Sequence, residues 1–549
     1  MPRRTGGAPP GPYHYVVDVI GDLEERGHEV VADRDAAVAA DRGRGALAGL
    51  LGAAAALVVI EFASLVDATA VTVTQAVQNR FIELFAGSLK ETAVDLFGTN
   101  DKVALQLGTA TVVLALGAAV GAMARDRWPV VAAAFAAFAL LGIVAAFDDP
   151  LASAGVGVVA AVLGAAIGAW LAIGLERRWR LGTGEHRGTA SGLAAPGRRN
   201  VLVTGGATAL ALLAGAAVAR AARSSMRQAR AVASRVLPRP VRRVPVPSSQ
   251  PFEIDGLTPY VTPTRDFYRI DTAPAEAVVV DPDGWEVAIT GQVDRPIRLS
   301  YDDLLARDLV EVPITMQCVS NEVGGDLIGT ARWTGVPLAE LLREAGVRTG
   351  ADQVVGESVD GFTAGFPTEL ALDGRDALVA VGMNGRSLTT EHGFPARLVV
   401  PGLYGYVSAT KWLKEIRLTT FAEESGFWIP RGWSRLGPIK TQSRIDVPRA
   451  GGQVPAGRRP IAGVAWAPTR GIATVEVRID GGAWREADLG RVASPDTWVQ
   501  WKLTWDAAPG EHTIEVRATD GQGSKQTAVE APPAPDGASG YDTIVVTVT

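Results

Sequence analysis

The chain has 549 residues, a formal net charge of -6, one cysteine and five histidines. So mild a charge excludes a general nucleic-acid role, and no nucleic-acid partner is expected. One cysteine excludes an intramolecular disulfide, a thiolate zinc cage, a cysteine-ligated iron–sulfur cluster and a c-type haem attachment. The histidines, at positions 14, 28, 186, 392 and 512, show no metal-ligand spacing.

In chain order, residues 1–44 are polar and carry both signs of charge. They read as a cytoplasmic N-terminal extension with a helix near Tyr15–Arg26. Five apolar stretches follow, at Gly45–Val66, Val103–Ala124, Pro129–Phe147, Leu151–Leu175 and Val201–Ala219. Each has the ~20 residues that cross a bilayer core, and all are rich in Gly and Ala. Residues 45–219 are therefore expected to form a transmembrane helical region in contact with membrane lipid. Arginines crowd the loops Arg125–Trp128 and Glu176–Asn200, whereas Asp148–Pro150 carries only acids. The positive-inside bias then puts the N-terminus in the cytoplasm and, after five crossings, the C-terminal part outside. Gln75–Phe97 has amphipathic spacing and is expected along the outer surface.

Residues 220–250 read as a stiff Pro/Arg-rich linker. Strand-like runs alternate with helical pieces over residues 251–442, which implies an α+β domain. Among the strands are Trp285–Thr290, Val310–Thr315, Arg397–Val400 and Glu415–Leu418; Tyr301–Ala306 and Leu338–Ala345 are helical. Residues 443–549 hold short strands between Gly/Pro turns, such as Thr474–Ile479, Trp498–Trp505 and His512–Ala518. That is the pattern of an Ig-like β-sandwich.

A lone cysteine is most often a small buried hydrophobe. Cys318, however, ends the strand-like run Val312–Gln317 and precedes the small-residue loop Val319-Ser-Asn-Glu-Val-Gly-Gly325. A thiolate at a strand end can meet a bulky ligand closely, and thiolates are soft metal donors. These features raise the prospect of a metal-bound or reactive cysteine without naming the metal.

The run Thr315-Met-Gln-Cys-Val-Ser-Asn321, followed by Thr330-Ala-Arg-Trp-Thr-Gly-Val-Pro-Leu338, resembles the molybdenum-binding core of the sulfite-oxidase family. Further matches in order are Phe267-Tyr-Arg269, Asp360-Gly-Phe-Thr363, Met383-Asn-Gly385, Glu391-His-Gly-Phe-Pro-Ala-Arg397, Val400-Pro-Gly402 and Ala409-Thr-Lys-Trp412. The stretches Ile461-Ala-Gly-Val-Ala-Trp466 and Asp480-Gly-Gly482 match the family's C-terminal dimerisation domain. The membrane region lies outside the resemblance. It implies a Mo-molybdopterin cofactor with Cys318 as the protein ligand to the metal. It further implies cofactor contacts at Phe267, Tyr268, Arg269, Asp271, Asp360, His392, Arg397, Ala409, Thr410 and Lys411, with Arg332 and Trp333 lining the catalytic pocket. Cationic forks suit a pterin with a phosphate tail, and Arg397 and Lys411 supply cations. Without the resemblance each has a bland reading as a surface ion pair, a solvated strand end or a structural histidine.

Two departures bear on substrate. Animal sulfite oxidases carry an arginine shortly after the ligand cysteine, where this chain reads Asn321-Glu322-Val323. Their tyrosine after the Lys-Trp block has no counterpart in Glu423-Glu-Ser-Gly-Phe-Trp428. The expectation is a membrane-anchored oxidoreductase that transfers an oxygen atom to or from a small-molecule substrate. Electrons pass to a separate carrier, a cytochrome or quinol system, because no span contains the histidines of a b-type haem. A homodimer through the C-terminal domain is also implied. The alternatives are a sulfoxide-type reductase and a metal-free binding protein on the same fold. Arg198-Arg-Asn-Val-Leu-Val203 ahead of the last apolar run resembles a twin-arginine export signal; a positive-inside anchor is the bland reading.

Overall fold

A computed structural model of the protein describes residues 12–66, 71–80, 101–124, 127–149, 152–184, 196–231, 236–247, 252–270, 272 and 278–549. It divides into two compact units, Met1–Met226 and Arg227–Thr549.

Each of the five apolar stretches falls largely within a helix: Pro12–Ala63, Asp101–Ala124, Trp128–Asp148, Ala154–Gly184 and Pro196–Ala231. Their apolar windows run from 20 to 28 residues, long enough to cross a membrane. The first helix differs from expectation. It continues unbroken from Pro12 through the described part of the polar extension, because Ala-rich sequence around residues 36–48 is a strong helix former and no Gly-Pro punctuation intervenes. It packs on Asp101–Ala124 and on Ala154–Gly184. At these crossings Gly49 lies against the carbonyl of Gly117, and Gly52 against that of Gly168, so closely that a β-carbon would overlap them. Small residues at such positions let helix backbones approach closely. Residues 73–80 form a short helix whose start is closed by Thr72 and Gln75. The Thr72 N–H donates to Gln75 Oε1 (2.9 Å) and the Gln75 N–H to Thr72 Oγ1 (3.1 Å). Val71 and Ala76 cluster with Ala145, so the described part of the expected surface segment is buried against the helix Trp128–Asp148. Residues 81–97 lie outside the described residues.

The second unit begins with a strap. Residues 236–247 are extended, as their prolines dictate, but they are docked. Arg242–Arg243 pairs in parallel with Val310–Glu311, and Leu237, Val244 and Val246 pack on the core. The strap edges a sheet in the order Arg242–Arg243, Val310–Gln317, Ile328–Pro337, Leu378–Met383, Arg397–Val399, with Arg386–Ser387 hairpinned onto Leu378–Met383. Every residue of Val310–Gln317 is buried, so this strand is covered on both faces. A second sheet orders Ile297–Ser300, Glu286–Gly291, Leu413–Thr419, Gln353–Ser358 and Thr363–Pro367. The helix Leu338–Ala345 buries Leu338, Leu341, Leu342 and Ala345, the spacing of one helical face, and stops at left-handed Gly346 (φ 71°).

The C-terminal β-rich region holds two further sheets. One orders Gln442–Val447, Gly457–Trp466, Val499–Ala507 and Asp488–Leu489. The other orders Gln453–Val454, Asp542–Val548, Gly510–Asp520, Ile472–Ile479 and Arg485–Glu486. Ile461, Val477, Trp501 and Ile514 belong to a core these sheets share. The first strand starts at Gln442. The two cores are nonetheless joined, because Val464, Trp466 and Trp498 pack into the core of the preceding α+β layers.

Candidate active site

Cys318 stands at the first position after the strand Val310–Gln317 and is half-buried. Its loop is closed on itself. The Cys318 N–H donates to Leu327 O (2.9 Å), the Asn321 N–H donates to Cys318 O (3.1 Å), and Asn321 Oδ1 accepts from the Leu327 N–H (2.7 Å). The sulfur lies 2.9 Å from Ser320 Oγ. Two tyrosines come within electrostatic reach of it. Burial drives the Tyr268 phenol far up, with Cys318 adding to the effect and Arg397 opposing it. Tyr404, fully buried, is pushed up to about 12, mainly by burial, with Asp536 and Cys318 contributing.

An aromatic floor lies beside the cysteine loop. The Phe267 ring sits over Gly329, where a β-carbon would stand 2.8 Å from the ring. It stacks on Tyr268 (5.1 Å between centroids) and meets Trp333 and His392 edge-on (5.8 and 5.7 Å). His392 Nε2 is 3.0 Å from the carbonyl of Thr264 and must carry the proton that it donates there. Burial, together with the charges of Arg397 and Lys411, lowers its pKa to about 4, so the ring is neutral at pH 7.

Arg397 is 6 % exposed. Its guanidinium lies over Trp333 at 5.1 Å and reaches only carbonyls, those of His392 (3.3 Å), Leu398 (3.4 Å) and Ala409 (3.5 Å). Among the described residues no carboxylate pairs with it, and burial pulls its pKa down to about 10. Lys411 donates from Nζ to Glu391 O (3.1 Å) across the face of Trp412. A buried guanidinium without a carboxylate is costly by itself and is stabilised by an anionic ligand. Two further buried donors, Trp333 Nε1 and Asn321 Nδ2, have no acceptor among the described residues. The donor set fits a polyanionic, acceptor-rich group beside the thiol.

Phe267, Tyr268, Cys318, Trp333, His392, Arg397, Ala409 and Lys411 thus come together. Other expected residues stand differently. Arg332 and Trp333 are neighbours on one strand and point to opposite faces. Trp333 faces Arg397 and Phe267, whereas Arg332 Nη1 turns to Glu311 Oε1 (3.8 Å). Trp333 is fully buried and offers a substrate no surface; it is floor rather than wall. Thr410 is also fully buried, its hydroxyl donating to Gly356 O (3.2 Å) and its carbonyl accepting from the Leu398 N–H (2.9 Å). Asp360 accepts the Phe362 N–H in its own turn (3.1 Å), and Val359 ties that turn to the Trp412 carbonyl (2.8 Å). Arg269 is exposed, Glu322 likewise, and Asp271 lies outside the described residues. Tyr404 and Ser320 were missed from the sequence. Ser320 is two residues from the cysteine, which is a usable signal; Tyr404 has only its place between Pro401-Gly402 and the Ala409-Thr410-Lys411 run.

The family described as oxidoreductase molybdopterin binding domain matches residues 274–428. Chicken (Gallus gallus) sulfite oxidase is 29 % identical over 324 residues, which cover 50 % of this chain and 69 % of that one. Rat (Rattus norvegicus) mitochondrial sulfite oxidase is 32 % identical over 289 residues, 44 % of this chain and 52 % of that one. The chain therefore spans about half to two thirds of the length of these relatives. The NADH nitrate reductase of Petunia hybrida is 33 % identical over 193 residues, 30 % of this chain and 21 % of that one. Among solved structures, the sulfane dehydrogenase SoxCD of Paracoccus pantotrophus is 26 % identical, covering 53 % of this chain and 84 % of that one at a TM-score of 0.45. The matched domain at residues 274–428 and the sulfite oxidase relatives, together with the cysteine loop, the aromatic floor and the buried cations, support a molybdopterin-dependent molybdenum oxidoreductase of sulfite-oxidase type.

Proposed function

We propose that the chain is a membrane-anchored enzyme that moves an oxygen atom to or from a small substrate and exchanges electrons with a separate carrier. The observation that carries this reading is Arg397, a buried cation with no carboxylate partner among the described residues. When bound, the molybdenum–molybdopterin group supplies the redox and oxygen-transfer chemistry. Cys318 is the protein's ligand to the metal. Arg397 and Lys411 hold the anionic part of the pterin, and neutral His392 orients the chain segment that carries Thr264. Phe267 and Trp333 seal the floor against water, and Tyr268, placed between the charges of Cys318 and Arg397, stays protonated as a donor. Metal and pterin analysis of the purified full chain tests the reading. About one molybdenum per chain is expected, and its absence from protein made in cofactor-sufficient cells would leave a metal-free binding protein.

The substrate reading follows from charge. No cation follows Cys318 through Val323, Glu322 is exposed, and Arg332 turns toward Glu311. These features favour a neutral sulfoxide-type substrate, reduced at the site, over the sulfite dianion. Tight saturation by sulfite would overturn that preference. The five apolar helices support multi-pass anchoring in the cell membrane. Loop charge supports an extracytoplasmic catalytic unit, with Arg198-Arg199 as the export signal, and protease added to intact cells should cut it. An Ig-like sandwich in the C-terminal region would serve as a dimer contact.

A further inference from the structure

The strand that leads into Cys318 is not covered along its outer edge by its own sheet. The strap Arg242–Arg243 pairs only with Val310 and Glu311. Beyond them the C-terminal region takes over. The Thr315 N–H donates to Asp496 O (2.9 Å), and Thr315 Oγ1 accepts from the Trp498 N–H (2.8 Å). Gln317, 1 % exposed and next to the cysteine, is held at both ends of its amide. Trp466 Nε1 donates to its Oε1 (2.9 Å), and its Nε2 donates to Gln442 Oε1 (2.9 Å). Gln442 is fixed in turn by donating to Ala538 O (2.7 Å). On the far side of the cysteine loop, Arg444 Nη1 donates to Gly325 O (2.7 Å). Its Nη2 donates to Thr258 Oγ1 (2.9 Å) and its Nε to Asp446 Oδ1 (2.7 Å).

Gln442 and Arg444 are two residues apart on one strand and so share a face. One grips the residue before Cys318, and the other grips the turn after it. All three acceptors of the Arg444 fork are distinct, a planar arrangement that lysine cannot reproduce. We propose that Gln442 and Arg444 are positioning residues for Cys318, by which the C-terminal region fixes both ends of loop 318–327 and sets where the sulfur stands. A metal site tolerates only about 0.5 Å of misplacement in its ligands, so such bracing from a rigid strand has a direct consequence for cofactor geometry. The proposal rests on the reading of Cys318 as the metal ligand.

The single cysteine makes the test clean, because any thiol reagent reports on Cys318 alone. The full chain, prepared without cofactor in detergent, is treated with iodoacetamide well below its unfolding temperature. Arg444→Gln and Gln442→Met should each change the alkylation rate severalfold with tryptophan fluorescence unchanged. In cofactor-loaded chain both should shift the thiolate-to-molybdenum absorption band. Arg444→Lys should not restore either readout. Arg478→Gln, which breaks an ion pair with Glu515 elsewhere in the same region, should move neither. Rates and bands equal to wild type in both variants, or moved equally by Arg478→Gln, would overturn the proposal. If Arg444→Gln does not fold, Gln442→Met decides. Should Cys318 of loaded wild type react as fast as that of cofactor-free chain, the ligand reading fails. The bracing is then judged on the cofactor-free rates alone.

Discussion

Replacing Arg397 with methionine should stabilise the cofactor-free chain while weakening its hold on cofactor. Burial lowers the guanidinium pKa from 12.5 to about 10. At 1.36 kcal/mol per unit, the folded state disfavours this charge by roughly 3 kcal/mol. Methionine fills similar volume without charge, but it forfeits the ring contact with Trp333, about 0.5–2 kcal/mol, and three long carbonyl contacts. The net expectation is a gain on the order of 1 kcal/mol. Cofactor loses a charge-assisted partner of about 1.5–3 kcal/mol, so retention should fall roughly ten- to a hundredfold. Thermal unfolding of the cofactor-free full chain, followed by tryptophan fluorescence, reads the first effect. Pterin and molybdenum content of loaded chain reads the second. Arg332→Ala is the contrast: its side chain turns to Glu311, and pterin content should stay near wild type. A destabilised Arg397→Met chain with undiminished pterin would show the guanidinium to be structural and refute the anion-site reasoning.

Cys318→Ala should abolish turnover yet leave the unfolding temperature nearly unchanged, because the loop is held by its backbone bonds; full activity with full metal content would remove Cys318 from the site. His392 should make the cofactor-free chain acid-sensitive. Its folded pKa of about 4 lies below the ordinary 6.5, so the unfolded chain binds more protons between those values. The contribution is full above pH 6.5 and falls by about 2 kcal/mol at pH 5, a loss that His392→Gln should abolish in urea titrations at the two pH values. Asp496 behaves oppositely. Burial and then the charge of Asp376 raise its pKa from 3.8 to about 6, so the folded chain binds more protons and stability falls as pH rises through that window. Asp496→Asn keeps the acceptor for the Thr469 N–H and should gain about 2 kcal/mol at pH 7 but little at pH 4, measured by the same titrations.

Features set by local sequence were readable in advance. Apolar runs became helices because span length and composition are local quantities. Leu338–Ala345 was bounded as expected, and Val310–Gln317 ended where the cysteine begins. The long first helix was under-read because charge was taken as a boundary, although Ala-rich sequence carries a helix through it. Cys318, Arg397 and His392 stand out in the sequence through the short motifs that hold them, but their surroundings do not: His392 meets Thr264, 128 residues away, and Arg397 lies over Trp333 on another strand. Nor was the direction of Arg332 legible. Strand alternation says that it and Trp333 face opposite ways, but which face holds the site depends on Glu311 and Arg397, far off in the chain. The same holds for Gln317, whose partners Gln442 and Trp466 lie more than a hundred residues on.

The docked strap bears on how a soluble catalytic fragment could be cut from this chain. Residues 236–247 give the strand Val310–Gln317 its first neighbour, through Val241 N–H to Leu309 O (2.8 Å) and Val244 N–H to Glu311 O (2.9 Å). A fragment starting at residue 251, where the linker looks finished by composition, would bare the N-terminal part of that edge and lose Leu237, which covers Gly382. Open strand edges recruit other chains. Cutting ahead of Val236 keeps the edge closed, so residues 236–247 of the apparent linker belong to the molybdopterin-binding unit itself.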